Sequence, residues 1–151
     1  MRLLLARVNE ASVKVGNQKV GEINKGLLAL CGFDENDVAR DIRWSIEKAA
    51  RLRIFNDDSN RMNLSANELQ LPLLLISQFT LLAQVIKGNR PSFNLAAAPA
   101  EAEVLYEETI LIARENFTHL ETGIFGADMQ VLSVNDGPVT FLIDSREKFP
   151  V

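Results

Sequence analysis

Two short segments gather groups that could act on an ester without a dedicated base. Ser77-Gln78-Phe79-Thr80 closes an apolar run, Leu71 to Ile76, with two hydroxyls and an amide. Backbone N–H groups released from pairing at a strand end can stabilise an oxyanion. The second segment is Asn135-Asp136-Gly137-Pro138-Val139-Thr140. Glycine before proline removes one side chain and one N–H donor, leaving carbonyl oxygens with little steric cover. X-Pro bonds are cis in about 5% of cases, and tight turns favour that isomer. Each segment also has a plain reading: a strand leaving for solvent, and a turn between two strands. Between them, Lys87-Gly88-Asn89-Arg90-Pro91-Ser92-Phe93 sets two cations, a glycine and a ring in one loop. That chemistry suits phosphate and base contacts and an ordinary surface loop equally.

Other reactive groups are sparse. Ser77 lacks the Gly-x-Ser-x-Gly elbow of a serine hydrolase, and no Gly-x-x-x-x-Gly-Lys phosphate loop occurs. The single histidine, His119, falls between a helix end and a strand, where a structural role is the default. The single cysteine, Cys31, lies in an apolar run and reads as an inert core residue. Gly123-x-x-Gly126 reads as a turn, and Asp57-Asp58 and Glu107-Glu108 as solvated surface. No metal-ligand spacing is present, so neither a metal nor another cofactor is expected. An enzyme built from this chain must use backbone groups, hydroxyls or the substrate itself.

The elements that would position these groups follow from periodicity. Residues 2–9 and 11–15 read as strands, and Gly16-Asn17 as the turn to a hairpin partner over Val20 to Ile23. Gly26 to Phe33 and Leu71 to Gln78 are apolar enough to be strands buried on both faces. Asp34 to Asp37 offers helix-capping chemistry. Val38, Ile42, Ile46 and Ala49 then repeat at helical spacing, predicting a helix over 37–52. Pro99 suits a first helical turn, with Ala102, Leu105, Thr109, Ile112 and Ala113 on one face of a helix over about 99–116. Residues 128–134 and 138–143 are the last strands. About seven strands and two main helices predict a single-domain α/β sandwich over 1–151.

Composition sets the outer bounds. The chain has 151 residues, 47% apolar and 24% charged, with eight Gly and five Pro, which is globular rather than disordered. One cysteine excludes an internal disulfide framework. The longest apolar run has six residues and contains Pro72, whereas a membrane span needs about 20. The apolar stretch after Met1 ends at Arg7, short of the about 7 residues of a secretory signal core. A cytoplasmic, membrane-free protein is expected. The net charge of −4 opposes bulk nucleic-acid binding, but it divides unevenly, +3 over residues 1–100 and −7 over 101–151. A non-catalytic nucleic-acid-binding module using Arg40, Arg43, Arg51, Arg53 and Lys87 is one alternative. An esterase with His119 as base is another.

Together the two motifs resemble the D-aminoacyl-tRNA deacylase family, also called D-tyrosyl-tRNA(Tyr) deacylase. The resemblance extends over essentially the whole chain. It includes Arg7-Val8 with Ala11-Ser12-Val13, Met62-Asn63-Leu64-Ser65, Lys87 to Phe93, and Thr122 to Met129. It implies a three-layer ββα sandwich and a homodimeric hydrolase that cleaves the ester of D-aminoacyl-tRNA at its acceptor end. Glycyl-tRNA mischarged on tRNA(Ala) is an implied second substrate, and chiral proofreading in translation the implied role. The resemblance places Ser77, Gln78, Phe79 and Thr80 of one subunit opposite Gly137 and Pro138 of the other. It implies a cis Gly137-Pro138 bond whose carbonyls hold the substrate amino group, with Arg7 in support. Leu81 to Ile86 departs from the family in being unusually apolar, while Phe79 places the chain with the main bacterial-type group.

The residues and the resemblance agree that catalysis leans on positioning and electrostatics. The Phe79 and Thr80 N–H groups are the candidate oxyanion donors, and the substrate 2′-OH a candidate proton carrier. A nucleophilic Thr80 would need a neighbouring base, and none is evident in the sequence.

Overall fold

The computed structural model describes residues 1–150. The chain runs through β1 (Arg2–Val15), β2 (Gln18–Ile23), β3 (Gly26–Gly32), α1 (Ala39–Arg51), β4 (Phe55–Asn56), β5 (Met62–Leu64), β6 (Leu73–Ser77), α2 (Pro99–Asn116), β7 (Leu120–Thr122) and β8 (Met129–Asp144). Short 3₁₀ turns cover Phe79–Leu82 and Ser145–Glu147. The sheet order is β2-β1-β3-β6-β7, with β8 paired to β1. β3, β6 and β7 are parallel to one another, while β1 is antiparallel to β2, β3 and β8.

Alternation along β3 and β6 explains the layering. Leu27, Ala29, Cys31, Leu73 and Leu75 point into a core shared with Ile42, Ile46 and Ala49 of α1 and Tyr106, Ile110 and Ala113 of α2. Leu28, Leu74 and Ile76 point the other way, into a second core with Val8, Ala11 and Val13 of β1 and Ile23 of β2. Strands buried on both faces need apolar residues at every position, which is the run that the sequence shows. Each buried aliphatic side chain contributes about 1.5–3 kcal/mol. The outcome is the expected three-layer ββα arrangement.

Several boundaries differ from the sequence reading. The strands expected at 2–9 and 11–15 are one, because shifts of register around Val8 absorb Asn9 and Glu10 against β8. Those expected at 128–134 and 138–143 also join, into β8. β4, β5 and β7 have only two or three residues, too few to show a period. The total among the described residues is therefore eight strands. The Asp34–Asp37 segment does not cap α1. Val38 is the N-cap residue, half exposed, and its N–H donates to Asp41 Oδ2 at 3.2 Å. Asp37 instead accepts from the Asp34 N–H at 2.7 Å and from the N-terminal ammonium.

Candidate active site

β6 delivers Ser77 beside Cys31 at the end of β3. The Gln78 N–H makes one last contact, to the Cys31 carbonyl at 2.6 Å, before the chain leaves the sheet. Gln78 is extended, at φ −148° and ψ 81°, and the 3₁₀ turn begins at Phe79. Leu81 N–H donates to the Gln78 carbonyl at 3.2 Å, and Ala83 N–H to the Thr80 carbonyl at 3.1 Å. The N–H groups of Phe79 and Thr80 reach no acceptor among the described residues. They are the orphan donors that open any helical turn. Gly32 makes this approach possible, since a Cβ there would lie 2.7 Å from the Gln78 carbonyl oxygen and 2.5 Å from Leu82 Cδ2. The Thr80 hydroxyl accepts from Gln78 Nε2 at 2.5 Å.

The turn walls a cavity of about 650 Å³. Its lining is mostly apolar and includes Phe79, Phe93, Phe125 and Met129, with Asp128 its one acidic side chain. Phe79 and Phe93 meet edge to face, with ring centroids 5.0 Å apart. Ala96, Ala97 and Ala98 also line it.

The second motif sits at a break in the β1–β8 ladder. The Gly137–Pro138 bond is cis and Gly137 has φ +136°. A Cβ on Gly137 would lie 2.6 Å from Val139 Cγ2. Asn135 brackets the segment, its Oδ1 accepting from the Val139 N–H and its Nδ2 donating to Thr140 Oγ1, both at 2.8 Å. Arg7 fixes the segment from beneath. Its Nε donates to the Asp136 carbonyl at 3.0 Å and pairs with the Asp136 carboxylate at 3.1 Å. Its Nη1 donates to the Ile54 carbonyl at 2.6 Å and reaches Asn56 Oδ1 at 3.4 Å.

One chain does not bring the two motifs together. Arg7 is opposite Leu27 and Ser77 opposite Cys31, so they occupy opposite ends of β3, about 13 Å apart at the strand rise. Neither Gly137 nor Pro138 lines the cavity beside Ser77.

The other reactive side chains are engaged elsewhere. The His119 carbonyl accepts from Leu73 N–H, at the far end of β6 from Ser77, and its ring pairs with Glu121 at 3.0 Å. His119 is therefore no base for this site. Cys31 is fully buried, and burial pushes its thiol well above the ordinary range. Arg43 pairs with Glu115 and Glu47, and Arg51 with Glu47. Among the described residues no cluster of three or more histidine, cysteine or acidic side chains could hold a metal.

Sequence reasoning missed Phe125 and Met129 as cavity walls and Asn56 as a partner of Arg7. Phe125 and Met129 do fall in the Thr122-to-Met129 segment that resembles the family. Nothing in the pattern signals Asn56.

Backbone N–H donors without acceptors, beside a mostly apolar cavity that holds one carboxylate, Asp128, fit an ester hydrolase whose substrate is already activated. The family model described as D-Tyr-tRNA(Tyr) deacylase matches residues 4–144. A D-aminoacyl-tRNA deacylase of Geobacter sulfurreducens is 47% identical over 148 residues, covering 98% of this chain and 97% of that protein. One from Pseudomonas aeruginosa is 48% identical over 145 residues, covering 96% of this chain and all of the relative. A solved structure named c-Myc DNA unwinding element binding protein superposes with a TM-score of 0.90 at 35% identity, covering 95% of this chain and 98% of that one. A probable eukaryotic D-amino acid tRNA deacylase shares the fold, with a TM-score of 0.83 at 16% identity, covering 94% and 97%. The chain belongs to the D-Tyr-tRNA(Tyr) deacylase family, a family of hydrolases.

Proposed function

We propose that this protein hydrolyses the ester joining a D-amino acid to the terminal adenosine of tRNA, releasing free D-amino acid and tRNA. The active form is a homodimer with two equivalent sites. In each, the 77–80 turn of one subunit faces Gly137 and Pro138 of the other. The observation that carries this reading is the separation of the two motifs at opposite ends of β3. Each is preorganised, and each lacks its counterpart within its own chain. The surface of β8 supports the assembly. Val131, Leu132 and Val134 are consecutive or nearly so, all well exposed, and Val131 borders the cavity. An edge strand with apolar side chains exposed on both faces favours a second copy over solvent.

Water attacks the ester carbonyl carbon, and the bond to the ribose 3′ oxygen breaks. The Phe79 and Thr80 N–H groups take the charge that develops on the carbonyl oxygen, each donor contributing about 3–4 kcal/mol to the transition state. The leaving 3′ oxygen takes up a proton, with the neighbouring 2′-OH as carrier. Adenine occupies the apolar cavity among Phe79, Phe93 and Phe125, where its faces meet rings. The carbonyls around Gly137 accept hydrogen bonds from the substrate ammonium. An amino group so fixed leaves the L side chain pointing into backbone, a clash that discriminates better than a pocket fitted to one methylene. Glycine has no side chain to clash, so glycyl-tRNA mischarged on tRNA(Ala) is a second substrate. The role is chiral proofreading during translation, in the cytoplasm, by residues 1–151 acting as one domain. Among the described residues no helix is long and apolar enough to cross a membrane.

The test is deacylation of D-tyrosyl-tRNA beside L-tyrosyl-tRNA at catalytic enzyme concentration. Rapid release of D-tyrosine with the L ester intact is expected. Equal release of both would make the protein a general esterase and remove the role of Gly137 and Pro138.

A further inference from the structure

A relay of four charged side chains connects the Phe79–Leu82 turn with the strand-like segment at Asp34 that pairs with Ala96. Arg2, at the start of β1, donates from Nη1 to the Leu81 carbonyl at 2.8 Å, and Leu81 belongs to the 3₁₀ turn that begins at Phe79. The same guanidinium donates from Nε to Asp144 Oδ2 at 2.9 Å. Asp144 also accepts from Arg146, at 2.9 Å from Nη2, 3.1 Å from Nε and 3.0 Å from the backbone N–H. Arg146 Nη1 then reaches Asp34 Oδ2 at 3.1 Å. Asp34 is buried and bridges to Ala96 in antiparallel fashion. Around it Ala97 N–H donates to the Phe33 carbonyl at 3.0 Å and Glu35 N–H to the Leu95 carbonyl at 3.3 Å. Ala96 and Ala97 line the same cavity as Phe79.

We infer that Arg2 is a positioning residue for the reaction, holding the Phe79–Leu82 turn at a fixed distance from the Ala96–Ala98 wall through Asp144, Arg146 and Asp34. This rests on the reading of Phe79 and Thr80 as oxyanion donors. The turn is four residues long and is otherwise held by few backbone bonds. Its first two N–H groups must be presented, so they cannot also anchor it. An anchor on a carbonyl at its far end fixes the turn without occupying those donors. A guanidinium presents its donors in a fixed plane, and here two of its nitrogens, Nε and Nη1, serve a carboxylate and a backbone carbonyl at once. A lysine at this position keeps a charge beside Asp144 but offers one mobile nitrogen in place of the two rigidly spaced ones that these acceptors engage. None of the four side chains lines the cavity, so the relay acts through geometry and not by touching substrate.

The experiment compares Arg2→Lys and Arg2→Met with the parent. It measures kcat and KM on D-tyrosyl-tRNA, thermal unfolding, and amide exchange at Leu81 and Ala83. Arg2→Lys is expected to unfold within a few degrees of the parent yet lose about 10- to 100-fold in kcat, with KM changed less than about twofold. The Ala83 amide should exchange faster in both variants. A kcat equal to the parent's would overturn the proposal, whether or not the melting temperature falls. So would a rise in KM alone, which would mean substrate contact. A parent inactive on both esters would sink the deacylase reading itself and the positioning role with it. If Arg2→Met fails to fold, Arg2→Lys still decides the matter.

Discussion

Two backbone N–H groups cannot be removed by trimming side chains, and this shapes what mutation reveals at the residue scale. Proline at position 79 offers a direct way in. Phe79 is the first residue of its turn and Gln78 before it is extended, a conformation that proline tolerates on both counts. Phe79→Pro deletes one donor and keeps the turn. The loss expected in kcat is about 100- to 1,000-fold, part of it from the missing ring. Thr80→Ala should behave differently, because the hydroxyl accepts from Gln78 and no base adjoins it. Single-turnover deacylation should stay within about tenfold of the parent, whereas losing a true nucleophile costs about ten thousandfold or more. A burst of acyl-enzyme in the parent would point to the nucleophile after all.

At the scale of elements, α1 carries a flaw that can be repaired. Ser45 is fully buried and its hydroxyl has no partner among the described residues. Ser45→Ala removes that desolvated group and raises helix propensity, so urea unfolding should show a gain of about 1 kcal/mol with an unchanged m-value. The end of β8 governs acid sensitivity. Burial pushes the Asp144 carboxyl up, but the Arg146 and Arg2 guanidiniums and the Arg146 N–H overcome this and hold it well below the usual carboxylate range. The unfolded chain therefore takes up this proton first as pH falls. The stability from Asp144 is fully present above about pH 4 and drains away below it. Between pH 6 and pH 3 the melting temperature of the parent should fall more steeply than that of Asp144→Asn. Equal slopes would remove Asp144 from the acid response.

The same elements show what the sequence made legible. α2 begins at Pro99 and ends at Asn116, as read, because proline marks a first turn and Ala102, Thr109, Ile112 and Ala113 do fall on its buried face. β3 and β6 were legible because burial on both faces leaves no polar position. β4, β5 and β7 were not, since their pairing comes from tertiary contacts. Both motifs stood out as residue types. Their placement at opposite ends of β3 did not, because register between distant strands leaves no local trace. Arg7 and Arg2 end on backbone carbonyls of Ile54, Asp136 and Leu81, acceptors that every residue carries and no side chain announces.

At the scale of the whole molecule, an acidic protein must receive the end of a polyanion. Lys87 and Arg90 are exposed on the loop that leads to Phe93 and the cavity, within the stretch between Glu68 and Glu101 that has no acid. Replacing both with alanine should raise KM and lower the slope of log KM against log salt by about 1–2, one phosphate contact being worth about 0.7 on a single strand. An unchanged slope would move the acceptor-end contact elsewhere.

On the proposed reading each site takes its two motifs from different subunits, and mixing two inactive subunits probes that sharing. Phe79→Pro disables the turn, and Gly137→Ala forces a Cβ against Val139. After complete subunit exchange at equal amounts, half of the dimers are mixed, and each mixed dimer has one site with both motifs intact. D-tyrosyl-tRNA deacylation should return to about a quarter of the parent activity, from two preparations that each have almost none. Mixed dimers as inactive as the separate variants would show that turn and Gly137 act within one chain, and would contradict the account.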